Sequence, residues 1–482
     1  MTRRDIPTEE GPHGDLLRAI LAAPDRDPMP FAHPVVSWTD RDEDAYLEAI
    51  EACALASIRL ERRGREHGDW AELDPARCPI RPGLPARGTR AFQTLCAERW
   101  HAARPIVLRD IAGELLDAFA DEIAEAGGTH ESLCERGGLA AWFAERAGLV
   151  APDFEARADR VKLADPERDI ERVALQASPP PGASAAARNL WCKSAWLSTH
   201  PEDRSVRLRF GHGKEGVDDG DRHILDHRLV AELAARLLPE TAVATANPAL
   251  VQLVEKLSGE PVLFTQALAY WNAPGGGALF HHDAFAEDAA DDGSFRQLGV
   301  CYVQLSGATA WLAISTEDLM ARIREFAEAL EDGQLPWVRA QIFESKACPF
   351  PGGWKRFTAL IGDSDALRRE LARPGCGSLG PLVDRGPEFT AFLADAGHGA
   401  VLRPGDAILL PNSGLEKTCM HSVFCAGDEV AYSISLAMRP DREAPQVRAA
   451  LDARRRERFE EKRAVRAAAP RSPTARKRSP KR

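Results

Sequence analysis

Residues 274–285, PGGGALFHHDAF, decide how the rest of the chain is read. Residues 278–280 form a short apolar strand that runs straight into His281, His282 and Asp283. Side chains on a strand alternate between its two faces, so His281 and Asp283 share one face and His282 takes the other. An imidazole and a carboxylate side by side are two thirds of the 2-His-1-carboxylate set. That set holds Fe(II) and leaves positions open for co-substrate and oxygen. The missing imidazole should come from a later strand, and His421 is the best candidate. It lies in residues 405–436, GDAILLPNSGLEKTCMHSVFCAGDEVAYSISL. There a Gly405-Asp406 turn leads into an apolar strand at 407–410. A strand at 419–425 and a last strand at 429–438 follow, as in the back half of an antiparallel jelly roll.

Together with the glycine run 274–277, the Gln304-Leu305-Ser306-Gly307 stretch and Pro411, these residues resemble the Fe(II)- and 2-oxoglutarate-dependent oxygenases. The likeness is to the JmjC, cupin-like hydroxylases in particular. The helix-to-strand passage through Ser258-Gly259-Glu260-Pro261 is similar to the phytanoyl-CoA-hydroxylase branch of the same superfamily. The resemblance covers roughly residues 262–440 and implies a double-stranded β-helix. Strands are expected at 262–272, 278–285, 297–305, 308–315, 400–402, 407–411, 418–425 and 430–438. The fold class is therefore α+β: a jelly-roll, cupin-like core with a helical N-terminal region and a long, partly helical insertion.

Domain limits follow from composition. Residues 1–187 read as a mainly helical N-terminal region, ending in the Pro/Ala-rich linker SPPPGASAAA at 178–187. Helices are expected at 40–63, 111–126, 139–147, 169–175, 229–238 and 248–257 from their apolar spacing. The oxygenase domain occupies 188–440 and carries an insertion at 316–399 that opens with an amphipathic helix at 316–331. Residues 441–482 are expected to form a basic, disordered tail: from Asp452 onward 13 Lys/Arg face 4 Asp/Glu, whereas the whole chain has a net charge of −11. The histidines of 218–227, DDGDRHILDH, read as a polar loop before a helix.

Composition excludes other classes. A chain with 44% hydrophobic and 28% charged residues is neither disordered overall nor membrane-spanning, and no apolar run approaches roughly 18 residues. The N-terminal MTRRDIPTEEGPHGD lacks the apolar segment of a secretory signal. Ten scattered cysteines without a C-x-x-C pair read as reduced thiols, so a cytoplasmic location without membrane contact is expected.

The metal set is therefore His281, Asp283 and His421, with His282 as a supporting or surface residue. The resemblance implies Fe(II) as cofactor and 2-oxoglutarate as co-substrate. JmjC relatives carry a lysine two positions after the glycine of the Q-x-x-G stretch, but here Thr309 stands there. The distal carboxylate of 2-oxoglutarate is assigned instead to Arg439 on the last strand, with Ser435 on the same face. Tyr270 and Gln304 are expected to add hydrogen bonds. Trp354, in the aromatic stretch 346–357 of the insertion, is expected to touch substrate. The expected activity is hydroxylation of a small molecule or a protein side chain. Nucleic-acid contact through the tail is not favoured. The alternatives are a cupin-fold scaffold with a vestigial metal site, or a cupin metalloenzyme of another class.

Overall fold

Alternation along Thr309–Ser315, TAWLAIS, divides the molecule into layers. Trp311 and Ala313 turn one way, into a cluster with Val300, Tyr302 and Ile408. Leu312 and Ile314 turn the other way, against Leu319, Ile323 and Phe326 of an amphipathic helix. A strand with both faces apolar is buried on both, so this one lies between two cores.

The computed structural model describes residues 90–441, apart from 109, 152, 158–162, 178–187, 198–202, 214–223, 275, 284–296, 334–335, 345–349, 384–386, 394–395, 397, 413, 415–416 and 427–428. The helix expected at 40–63, the linker at 178–187 and the tail from 442 lie outside the described residues, as do His200 and His223.

Among the described residues thirteen strands occur: β1 (Ile106–Leu108), β2 (Phe154–Arg157), β3 (Asp169–Ala177), β4 (Arg188–Trp196), β5 (Val206–His212), β6 (Val262–Asn272) and β7 (Gly277–His281), followed by β8 (Gly299–Ser306), β9 (Thr309–Ser315), β10 (Gly399–Leu402), β11 (Ala407–Pro411), β12 (Cys419–Cys425) and β13 (Ala431–Pro440). They form a nine-stranded sheet, β1-β11-β8-β13-β6-β5-β4-β3-β2, and a four-stranded sheet, β10-β9-β12-β7. Neighbouring strands pair antiparallel throughout both sheets. The protein is thus α+β with large antiparallel sheets. All eight strands expected between 262 and 438 occur, and the second of them stops at His281.

Three cores follow from the period of two. Val107, Val300, Tyr302, Ile408 and Leu410 of the large sheet meet Trp311, Leu402 and Val423 of the small one. On the other face of the large sheet, Cys301, Val303, Leu409, Ile434 and Leu436 pack against helices that include Ile224–Leu237 and Pro248–Ser258. The outer face of the small sheet is covered by the insertion. Its first helix, Thr316–Glu331, has the expected limits and is capped by Ser315, whose Oγ accepts the Asp318 N–H at 3.1 Å.

Two expected helices need correction. Residues 169–175 are not a helix but part of β3, with Val173, Leu175 and Ala177 buried on alternate positions. Their acidic and basic pairs mimic a helical face, and pairing with β4 overrides that local preference. Among the described residues, elements on either side of 187 share the large sheet and a core. β1 is an edge strand on β11, β3 pairs with β4 across residues 178–187, and Phe119, Trp142 and Phe143 share a core with Leu436 and Met438. The helix expected at 111–126 is broken, with a 3-10 turn at Asp117–Phe119 before the helix Ala120–Gly128.

Candidate metal centre

His281 ends β7 and His421 stands in the middle of β12, and the ladder pairs the two directly. Asp283 follows two residues after His281. Their ligand atoms all lie within 4.8 Å of one another. His281 Nε2 is 3.8 Å from Asp283 Oδ1, and His421 Nε2 is 3.6 Å from Asp283 Oδ2. The imidazole rings lie 4.2 Å apart between centroids.

A bulge produces this aim. Between His421 and Val423 the ladder advances by two residues on β12, but from His281 to Ala278 it advances by three on β7. The extra residue resets the alternation, so Ala278 packs against the inner core, Phe280 joins the outer one and His281 turns inward again. The glycine run permits the close approach that goes with it. A Cβ on Gly276 would lie 1.8 Å from Asp203 Oδ1, and one on Gly277 would lie 2.0 Å from the Val423 carbonyl oxygen. The bulged segment also fixes the first ligand, because His281 Nδ1–H donates to the Leu279 carbonyl at 2.7 Å and leaves Nε2 to face Asp283.

Exposure grades across the set. The side chain of His421 is 5% exposed, whereas those of His281 and Asp283 are 40% and 36% exposed towards the cavity. Burial, and then the neighbouring His281, push the His421 imidazole down to about 3, so it is neutral in the physiological range, as a ligand must be. Trp311 stacks on it at 5.7 Å. Burial would raise the Asp283 carboxyl. His421, His281, His282 and Arg207 outweigh that and hold it below its usual value. Two imidazoles and an ionised carboxylate on one side, with open space on the other, are a donor set for a divalent first-row metal.

The open side is a cavity of about 580 Å³, lined by residues of both sheets and of the insertion. Of the other residues singled out in the sequence, Tyr270 and Ser435 are on its wall. Burial, then Asp283, push the Tyr270 hydroxyl up to about 12, so it is a proton donor there. A second bulge shapes the wall beside Ser435: β6 carries an extra residue opposite Ser435–Ala437, where Gln266 has φ 45°.

Three expected residues are not brought to the cavity. Gln304 is buried; its Oε1 accepts from Thr309 Oγ1 at 2.6 Å and from the Tyr302 hydroxyl at 3.2 Å, and its Nε2 donates to Ser306 and Tyr432 carbonyls. Thr309 in turn accepts from Trp311 Nε1 at 2.9 Å and so holds the ring that stacks on His421. Arg439 is 2% exposed and lies in the electrostatic reach of His227, outside the lining. Trp354 packs in the insertion core, 5.3 Å from Phe343 and under the Arg339 guanidinium. The insertion reaches the cavity elsewhere, through Pro374 and Gly375, and through Ala372, whose carbonyl accepts from His282 Nε2 at 3.1 Å.

Arg168, Arg207 and Arg209 line the cavity, and the sequence reading missed them. The signal was present in Val206–His212, VRLRFGH, where strict alternation puts both arginines of β5 on one face.

Comparison with family models finds no match, and comparison with curated proteins finds none either. Among solved structures, the chain is similar to the non-heme alpha ketoglutarate dependent epimerase SnoN from nogalamycin biosynthesis. The identity is 13% over 73% of this chain and 84% of that one, with a TM-score of 0.27.

Proposed function

We propose that the protein is an Fe(II)- and 2-oxoglutarate-dependent oxygenase that hydroxylates its substrate. The observation that carries this reading is the convergence of His281, Asp283 and His421 within 4.8 Å at the wall of a cavity. Strand order supports it as well. From β6 to β13 the chain visits large, small, large, small, small, large, small and large sheet, an alternation that supports a jelly-roll reading.

Fe(II) in this set, with 2-oxoglutarate as co-substrate, supplies the activated oxygen for attack on a C–H bond. The protein's own contribution is positional. The Leu279 carbonyl orients His281, and burial under Trp311 keeps His421 neutral. Ser435 and Tyr270 offer hydroxyls to the co-substrate on the cavity wall. The cavity volume is within the range of small-molecule sites, which favours a small substrate.

Anaerobic titration with Fe(II) and 2-oxoglutarate tests the proposal. A visible charge-transfer band should form with the intact protein, and succinate should appear when oxygen is admitted. His421→Ala should abolish the band and weaken Mn(II) binding by more than the roughly 10–100-fold that loss of an outer-shell partner costs. A folded protein that gives neither band nor succinate overturns the oxygenase reading. If Mn(II) still binds through the three residues in that case, a cupin metalloenzyme of another class takes its place; if it does not, a scaffold with a vestigial site does.

A further inference from the structure

The wall of the cavity continues beyond the strands that carry the metal set. Past β6, the large sheet extends through β5, β4 and β3. On β5, Leu208 and Phe210 enter the helical core, and Arg207 and Arg209 take the face shared with Tyr270 and Leu268. On β4 the same parity puts Leu190 and Cys192 in the core and Trp191 and Lys193 on the cavity side. Register sets Arg209 beside Lys193 and Lys193 beside Arg172, so three cations form a row across three strands.

These cations surround a buried indole. Arg172, Lys193 and Arg209 lie 5.1, 5.9 and 5.5 Å from the Trp191 ring centroid. Arg207 and Arg168 continue the positive surface along the cavity wall. Among the described residues, Asp169 lies within this group, 3.1 Å from Lys193 Nζ, and Asp283 is within the electrostatic reach of Arg207. Nε of Arg168 and Nε of Arg207 are buried without a hydrogen-bond partner. A guanidinium pairs with a carboxylate or phosphate through two parallel hydrogen bonds, and its stacking on an indole pre-orients it for that.

We propose that this basic face, with Arg207 and Arg209 at its cavity end, binds the anionic group of a small-molecule substrate, a carboxylate or phosphate, whose reacting carbon lies at His281, Asp283 and His421. The proposal rests on the oxygenase reading for the second half of that statement only. The row across β3–β5 lies on the far side of β6 from Ser435, which is assigned to the co-substrate.

The test is calorimetric titration of the full-length protein, loaded with Mn(II) and saturated with 2-oxoglutarate, using phenyl phosphate in one arm and benzoate in the other. At least one probe should bind, and the stronger arm identifies the anion. The Arg207→Gln/Arg209→Gln variant should weaken that probe by at least about tenfold while 2-oxoglutarate affinity changes by less than about twofold. Arg207→Lys/Arg209→Lys should bind with intermediate strength, and Arg209→Gln alone serves if the double variant does not fold. The proposal is overturned if neither probe binds the intact protein, or if the glutamine variants bind as tightly as the parent. It is also overturned if 2-oxoglutarate affinity falls in step with the probe, because the arginines then serve the co-substrate. Repeating the titration without 2-oxoglutarate separates the anion site from the oxygenase reading, since the basic face should bind its probe either way.

Discussion

His421 and His227 are both buried imidazoles, but they answer to different surroundings. His421 has an acidic neighbour in Asp283 and an open cavity beside it, so its neutral form is ready for a metal. His227 is 1% exposed, and its Nδ1 has no hydrogen-bond partner. Burial, then Arg439 and His212, push it down to about 2. The folded-state value therefore lies below the unfolded one of about 6.5, and the unfolded chain binds the extra proton. Stability is full above that value and falls with acidification by roughly 1 kcal/mol per pH unit for this residue. The melting temperature should drop between about pH 7 and 5, and His227→Gln should make the drop shallower. An unchanged slope in that variant would mean that His227 titrates normally in the native state.

Elements are tied together by side chains that no local pattern reveals. The helix Gly138–Val150 starts behind Gly137, at φ 93°, and has no cap of its own. Glu171 supplies it from β3: one carboxylate oxygen accepts the N–H of Gly137 at 2.9 Å, Leu139 at 3.0 Å and Ala140 at 3.3 Å. A carboxylate at a helix N-terminus satisfies orphan donors and complements the helix dipole. Glu171→Gln keeps an acceptor and should cost about 0.5 kcal/mol, whereas Glu171→Ala should cost about 1–2 kcal/mol in urea unfolding. Equal unfolding midpoints for all three proteins would show the contact to be idle. The Gly405-Asp406 turn does similar work between elements. Gly405 takes φ 96°, and Asp406 accepts the Asp110 and Arg403 N–H groups, docking the segment after β1 against β11.

Over the whole molecule, the N-terminal part is built into the sheet. Ile106 and Leu108 join the core with Leu409, and Trp271 Nε1 donates to the Ala126 carbonyl at 2.8 Å. A protein consisting of residues 188–482 would expose that core face and one edge of β11 and lose the partner of β4. It should be insoluble or melt without a cooperative transition, while the full chain melts sharply by calorimetry. A soluble fragment with a sharp transition would restore the boundary at 187 as a true domain limit. Among the described residues, no helix is long and apolar enough to cross a membrane.

The strands around the site were legible because each is a short apolar run between turn residues, and that pattern is local. So were the triad residues: the two-residue spacing of His281 and Asp283 needs no partner to be recognised. The bulge in β7 was not legible, because it depends on how Gly276 and Gly277 meet Asp203 and β12. The wall of the cavity was decided by register as well. Arg207 reaches it because β5 pairs with β6 opposite Tyr270, while Arg439, read from strand parity alone, is buried outside the lining. Trp354 carries the composition of a binding loop, yet it fills its own subcore, since an aromatic ring is equally at home packed against Phe343 and Phe357. Sequence determined which residues could ligate a metal and which segments are strands, because those are properties of side-chain type and period. Tertiary structure decided which cations face the cavity, because only the pairing of distant strands sets the side of the sheet on which a charge stands.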